Sequence, residues 1–273
     1  MLTYHKIDVN IPRTYKPTLY FLGSTLRGAF GVGLKKVVCI NPARECQGCH
    51  SVSNCLYYDF YEQKNIPHKY RFSKGLGEDS YSFSLYLFEE ASSKLPYVLS
   101  AINETLCNVG LGSNREKLQI DSIYCNDELI YSDGTFKSIQ ISPKTFSPDS
   151  LKDSAKIEFV TPLRIKKNGR LLTQKPTLTQ LVISIHNRLN EIKGYPIVRL
   201  PFSPQAIETS GTVRFEDLSR YSNRQQTKMQ LGGLLGSLTY DSIDNRSYMM
   251  LKLGEILGVG KQTVFGLGEI KVI

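Results

Sequence analysis

The chain has 273 residues, 41% of them apolar, and carries 34 Lys and Arg against 25 Asp and Glu, a formal net charge of +9. That length supports one large core or two ordinary ones, the cationic surplus points to polyanionic partners, and no run of about 18 apolar residues is present to cross a bilayer. The N-terminal MLTYHKIDVNIP lacks the apolar stretch of a secretory signal, which predicts a cytoplasmic protein with reduced thiols.

In chain order, Leu2 to Ile11 alternates and reads as a strand. A helix follows, with Ser24 as its expected N-cap and Leu26, Phe30, Leu34 and Val37 at helical spacing. Gly28, Gly31 and Gly33 weaken that helix or let a neighbour approach its backbone. Next comes Cys39-x6-Cys46-x2-Cys49-x5-Cys55. Four thiolates within 17 residues suit one structural zinc; an iron–sulfur cluster and unliganded thiols are the other readings, and His50 can stand in for one cysteine. Tyr70 to Ser73 and Tyr81 to Glu89 read as strands, Leu95 to Asn108 as a helix, and Leu118 to Cys125 as a strand after the Gly110–Arg115 loop. Cys107 and Cys125 lie in apolar surroundings and are expected in the core.

Prolines 143 and 148, set among serines, mark a boundary, giving domains 1–148 and 149–273. Beyond it, Ile157 to Lys167 and Arg170 to Thr173 flank Asn168-Gly169, the pair that a type I′ hairpin turn selects because both central residues need positive φ. Leu178 to Ile192 and Tyr248 to Leu257 are expected helices, Met229 to Leu238 is an apolar stretch broken by glycines, and Gly268 to Ile273 is the last strand. Each half thus reads strand, helix, strands, helix, a Gly-x-Gly loop and a final strand. The expected class is α+β: two tandem ferredoxin-like (RRM-like) βαββαβ domains, with a cysteine-rich insertion at about 39–55 in the first.

Positive charge is concentrated between Thr161 and Leu200, where eight bases face the single acid Glu191. Arg164, Lys166, Lys167, Arg170 and Lys175 can track a phosphate backbone, or decorate a solvated hairpin. Arg220-Tyr221-Ser222-Asn223-Arg224 mixes guanidinium, aromatic and amide groups suited to unpaired bases, or forms a polar loop. Arg27, Lys35 and Lys36 make a weaker patch. Gly258-x-Gly260-Lys261 with Gly266-x-Gly268 either aims backbone N–H groups at a phosphate or makes tight turns. It is no Walker A loop, whose first glycine falls on Glu255, and it does not complete GxGxxG, since 263 is Thr. Of the histidines, His5 and His186 read as structural, whereas His50 and His68 are candidate acid–base groups.

FVTPLRIKKNG, RYSNRQQTKMQLGGLLG and LGEILGVGKQTVFGLGEI, with LGSTLRGAFG, CHSVSNCLYYDFYE and GLGSNREKL before them, resemble the CRISPR repeat-processing endoribonucleases of the RAMP superfamily. The resemblance implies two ferredoxin-like halves with an RNA groove between them. It also implies cleavage of precursor CRISPR RNA with no catalytic metal, by 2′-hydroxyl attack that leaves a 2′,3′-cyclic phosphate and a 5′-hydroxyl. It puts Gly258, Gly260, Lys261, Gly266 and Gly268 on the RNA, with Arg220, Ser222 and Arg224 nearby and Arg115 in the matching loop of the first half. Relatives often carry histidine where this chain has Gly258, so this member uses another base or binds RNA without cutting it. The cysteine run is similar to that of cysteine-bearing members, which favours a metal. CRISPR repeat RNA is the implied partner, with CRISPR effector subunits as further ones, no membrane, and a monomer or homodimer. A non-catalytic RAMP subunit that caps CRISPR RNA in an effector complex is the alternative.

Overall fold

The computed structural model describes residues 1–13, 19–64, 66–148, 150–222 and 227–273. They form two compact units, Met1–Thr145 and Phe146–Ile273. Among the described residues no helix is long and apolar enough to cross a membrane.

The first unit opens with strand β1 (Thr3–Asn10), whose inward residues His5, Ile7 and Val9 alternate with half-exposed ones. Helix α1 (Gly23–Val38) follows. Its N-cap is Leu22, with no side-chain cap, and Ser24 lies inside the first turn, contrary to the expectation. Two of its glycines serve close packing: a Cβ on Gly31 would stand 2.6 Å from the Tyr61 ring, and one on Gly33 would collide with the Thr105 hydroxyl. Strands β2 (Tyr70–Ser73) and β3 (Phe83–Phe88) lead to helix α2 (Leu95–Asn103), which continues as a π-helical turn over Glu104–Val109. Strand β4 (Ser122–Cys125) completes the antiparallel order β2-β3-β1-β4, the ferredoxin-like arrangement. Strands β5 (Glu128–Ser132) and β6 (Thr135–Phe136) extend the β4 edge, and β7 (Lys144–Thr145) pairs with β1. Ile7 pairs with both Leu85 and Cys125, so the centre of the sheet is apolar, and α1 packs on α2.

The second unit repeats the plan. Strand β8 (Ala155–Leu163) is followed by a short hairpin, β9 (Lys166–Lys167) and β10 (Arg170–Leu171), turned by Asn168 at φ 50° and Gly169 at φ 78°. Both central residues are left-handed, as the type I′ reading requires. Helix α3 (Leu178–Lys193) starts in a capping box between Thr177 and Gln180 and ends at left-handed Gly194. Its inward Leu181, Val182 and Ile185 are fully buried, each worth about 1.5–3 kcal/mol of transfer free energy. Strand β11 (Ile207–Glu216), which sequence periodicity did not reveal, lies at the edge with most of its residues exposed. A ribbon of β12 (Ser219–Ser222) and β13 (Thr227–Gln230) precedes β14 (Gly233–Asp241), α4 (Asn245–Leu257) and β15 (Ile270–Val272). The order β11-β14-β8-β15 is the same ferredoxin-like order, with α3 packed on α4.

A candidate nucleic-acid interface

In the second unit the end of β8 meets the glycine-rich segment that follows α4. Arg164 and Gly260 form a parallel bridge, and the Lys261 N–H donates to the Arg164 carbonyl at 2.9 Å. A Cβ on Gly260, at φ 88°, would sit 2.5 Å from that carbonyl oxygen. Val259 N–H donates to Gly268 O, and Gly268 N–H to Pro162 O. Buried Thr161 clamps the far side, its hydroxyl donating to Gly266 O and accepting from Glu269 N–H. Buried Arg188 on α3 donates from Nε to Leu257 O, where α4 ends. The glycines therefore let the segment press onto β8. This corrects the picture of successive backbone N–H groups aimed at a phosphate: Gly258, Val259, Lys261, Phe265, Gly266 and Gly268 all donate within the unit. Gly258, Gly266 and Gly268 are buried, and only the tip from Gly260 to Gln262 reaches the surface.

That tip has the chemistry of an anion receiver. Arg164 is half-buried, its Nη1 donates to Gly232 O, and its buried Nε has no partner among the described residues. Burial pushes its pKa down, yet a guanidinium stays charged, so a desolvated cation is left with a spare donor. Lys261 is 59% exposed and 3.7 Å from Glu191, a weak surface pair. Left-handed Gln262 has a buried side-chain oxygen without a partner among the described residues. Lys166, Lys167 and Arg170 stand exposed on the adjoining hairpin, beside a shallow cleft of about 490 Å³ lined by Lys167, Asn168, Arg170, Leu171 and Leu172.

Of the other bases of the cationic stretch, Arg199 is exposed and three are engaged. Arg188 is internal, Lys175 pairs with Glu208, and Lys193 lies over the Tyr195 ring. Arg220 and Ser222 lie on β12, whose backbone alone is described there, and Arg224 lies outside the described residues. Thr161, Arg188 and Gln262 escaped sequence reasoning. A buried threonine, a buried arginine and a left-handed glutamine leave no local pattern.

The first unit gives less support to its candidates. Arg27 lies over the Tyr61 ring at 4.6 Å and donates from Nε to the Tyr70 hydroxyl at 3.1 Å. Lys35 lies over Tyr57, Tyr57 stacks on Tyr61, and Lys36 is paired with Glu104 at 2.9 Å. This patch is a cation–aromatic ladder joining α1 to the Tyr58–Glu62 turn, and its bases are engaged within the protein. Burial pushes the Tyr61 and Tyr70 hydroxyls up, so both stay protonated. His68 packs 5.8 Å from the Tyr70 ring. The bases beside it are engaged: Lys69 pairs with Glu90, and Arg71 is buried over Tyr86. His50 is exposed, as is Arg115 at the left-handed end of its loop. His5 is buried with its Nδ1 3.0 Å from Asn126 Nδ2, and His186 Nε2 is 3.1 Å from Asn190 Nδ2, both in structural settings. Cys125 is buried and its thiol pushed up to about 12 by desolvation, whereas Cys107 is half-buried. Cys39, Cys46, Cys49 and Cys55 are free and half-buried. Among the described residues, no three His, Cys, Asp or Glu side chains are gathered to hold a metal without rearrangement.

Residues 157–270 match the family model of CRISPR-associated endoribonuclease Cas6, and residues 15–144 match a model described as an N-terminal domain. An uncharacterised protein of Archaeoglobus fulgidus is 26% identical to this chain, covering 99% of it and 97% of its own length. Thermus thermophilus Cas6 in a product complex is similar over 100% of this chain and 99% of its own, with a TM-score of 0.59 and 16% identity. The product of a Cas6-related gene from Pyrococcus furiosus is similar over 100% and 99%, with a TM-score of 0.50 and 12% identity. At these identities the structural likeness carries the fold.

Proposed function

We propose that this chain, whose residues 157–270 match the family model of CRISPR-associated endoribonuclease Cas6, acts as a member of that family: it binds the repeat of a precursor CRISPR RNA and cleaves it there without a catalytic metal. The observation that carries the binding is the half-buried Arg164 guanidinium with its spare Nε, set beside the Gly260–Gln262 tip and the exposed Lys166, Lys167 and Arg170. A desolvated arginine makes stronger charge-assisted contacts to phosphate than a solvated one, and the exposed bases extend the track.

In the proposed reaction the 2′-hydroxyl oxygen attacks the adjacent phosphorus and the P–O5′ bond breaks. The hydroxyl proton leaves to a base and the 5′-oxygen gains a proton, giving a 2′,3′-cyclic phosphate and a 5′-hydroxyl. His50 and His68 are the candidate proton carriers, because His5 and His186 are held in structural settings. Holding the RNA in line for attack supplies much of the remaining rate.

The test is incubation of the full chain with its cognate repeat RNA in EDTA. A single cut with a cyclic-phosphate end is expected, and a 2′-deoxy substitution at the cut position abolishes the cut without abolishing binding. Arg164→Met weakens binding, whereas His50→Ala or His68→Ala slows the cut at unchanged affinity. Cleavage that needs added metal overturns the mechanism. The second reading, a non-catalytic RNA-binding RAMP subunit, is favoured by one observation: position 258 is a buried glycine, so no side chain projects there towards RNA. Repeat RNA that is bound tightly but left whole establishes that reading in place of the first.

A further inference from the structure

The proposed RNA track of the second unit does not use the four cysteines of residues 39–55, and the burial pattern of that run asks for an explanation. None of residues 39–55 is buried, and their only helical element is the three-residue 3-10 turn Val52–Asn54. A segment of 17 residues with no buried side chain has no core of its own to hold it in place. Yet all four cysteines are half-sheltered, while most of the residues between them stand exposed. The backbone folds back on itself at left-handed Arg44 and Gly48, and the Cys49 N–H donates to Cys46 O at 3.3 Å, which brings the two halves of the Cys-x-x-Cys turn together. None of the four cysteines is in a disulfide.

We propose that Cys39, Cys46, Cys49 and Cys55 bind one zinc ion as a tetrathiolate, each thiol releasing its proton to solvent as its S–Zn bond forms. Four soft ligands in tetrahedral array match zinc, and no position is left open for catalysis. Gathering the thiols to bonding distance displaces no buried side chain of the segment, so ion binding and loop closure occur together. The ion then does for this segment what a core does elsewhere. Cys39 caps the C-terminal end of α1, and Cys55 leads into the turn that carries Tyr57 and Tyr61. The metal would tie the two ends of the cation–aromatic ladder built from Lys35, Tyr57, Tyr61 and Arg27. Exposed His50 stays outside the ligand set and free for other chemistry.

The experiment uses the full chain purified in reducing buffer without chelator. Elemental analysis should find one zinc per chain. Removing the ion should expose four additional reactive thiols and lower the unfolding temperature, and cobalt exchange should give the charge-transfer bands of a tetrahedral thiolate site. Changing Cys46 and Cys49 together to Ser should abolish metal retention, whereas Cys107→Ser should leave it intact. If the double variant does not fold, cobalt titration of the metal-stripped wild-type chain decides the matter. A chain without bound metal whose thiols react alike before and after chelation overturns the proposal, and so does an iron–sulfur chromophore in place of zinc.

Discussion

Gly268 has φ 69°, and a Cβ there would collide with the Val259 carbonyl oxygen, a backbone atom that cannot swing aside. Gly268→Ala should therefore cost about 2–5 kcal/mol, from left-handed strain plus overpacking. Gly112→Ala, at φ 72° but in open space, should cost only about 1 kcal/mol. Chemical denaturation measures both, and equal effects would remove the close-approach argument. Lys261 is the opposite case. Its exposed pair with Glu191 contributes little, so Lys261→Ala should leave unfolding unchanged while weakening repeat RNA binding. If the variant loses stability instead, the side chain is structural. The glycine cluster was legible as a special segment. Its purpose was not, because sequence cannot say whether a glycine makes room for a ligand or for a neighbouring strand.

Helix α4 delivers the chain to this segment and depends on its start. Asp244 accepts from the N–H groups of Arg246 and Ser247. Burial disfavours its charge, but hydrogen bonds from Ser247, Gln205 and Arg246 outweigh that and hold its carboxyl below the usual range. A depressed carboxylate adds stability that is present above its unfolded pKa of about 3.9 and is lost as pH falls through the folded value. Asp244→Ala should cost about 1 kcal/mol at neutral pH, and the gap to wild type should close in acid as both are unfolded with denaturant. A gap that persists in acid would place its cause elsewhere. Elements with a strong local code were readable: the Asn168-Gly169 turn, α3 with its apolar face, and the alternating β1. Strand β11 was not, because an exposed edge strand carries no apolar alternation. The start of α1 was misread because no side chain caps it.

Across the whole molecule, net charge suggested a polyanionic partner, and the fold showed which charges remain available for one. If Lys166, Lys167 and Arg170 each meet a phosphate, changing all three to Ala should reduce the slope of log affinity against log salt by about 2, at roughly 0.7 per contact on single-stranded RNA. An unchanged slope in filter binding would take the hairpin out of the interface. The sequence alone determined the α+β class and the cationic surplus, and it outlined the doubled βαββαβ order with β11 unseen, because these follow from periodicity, turn chemistry and composition summed over many residues. Tertiary structure alone decided that Arg188 is internal while Arg164 keeps a spare donor, and that the glycines serve strand contact. Burial and partner choice depend on residues distant in the chain, such as Arg164 and Gly260, which no local pattern records.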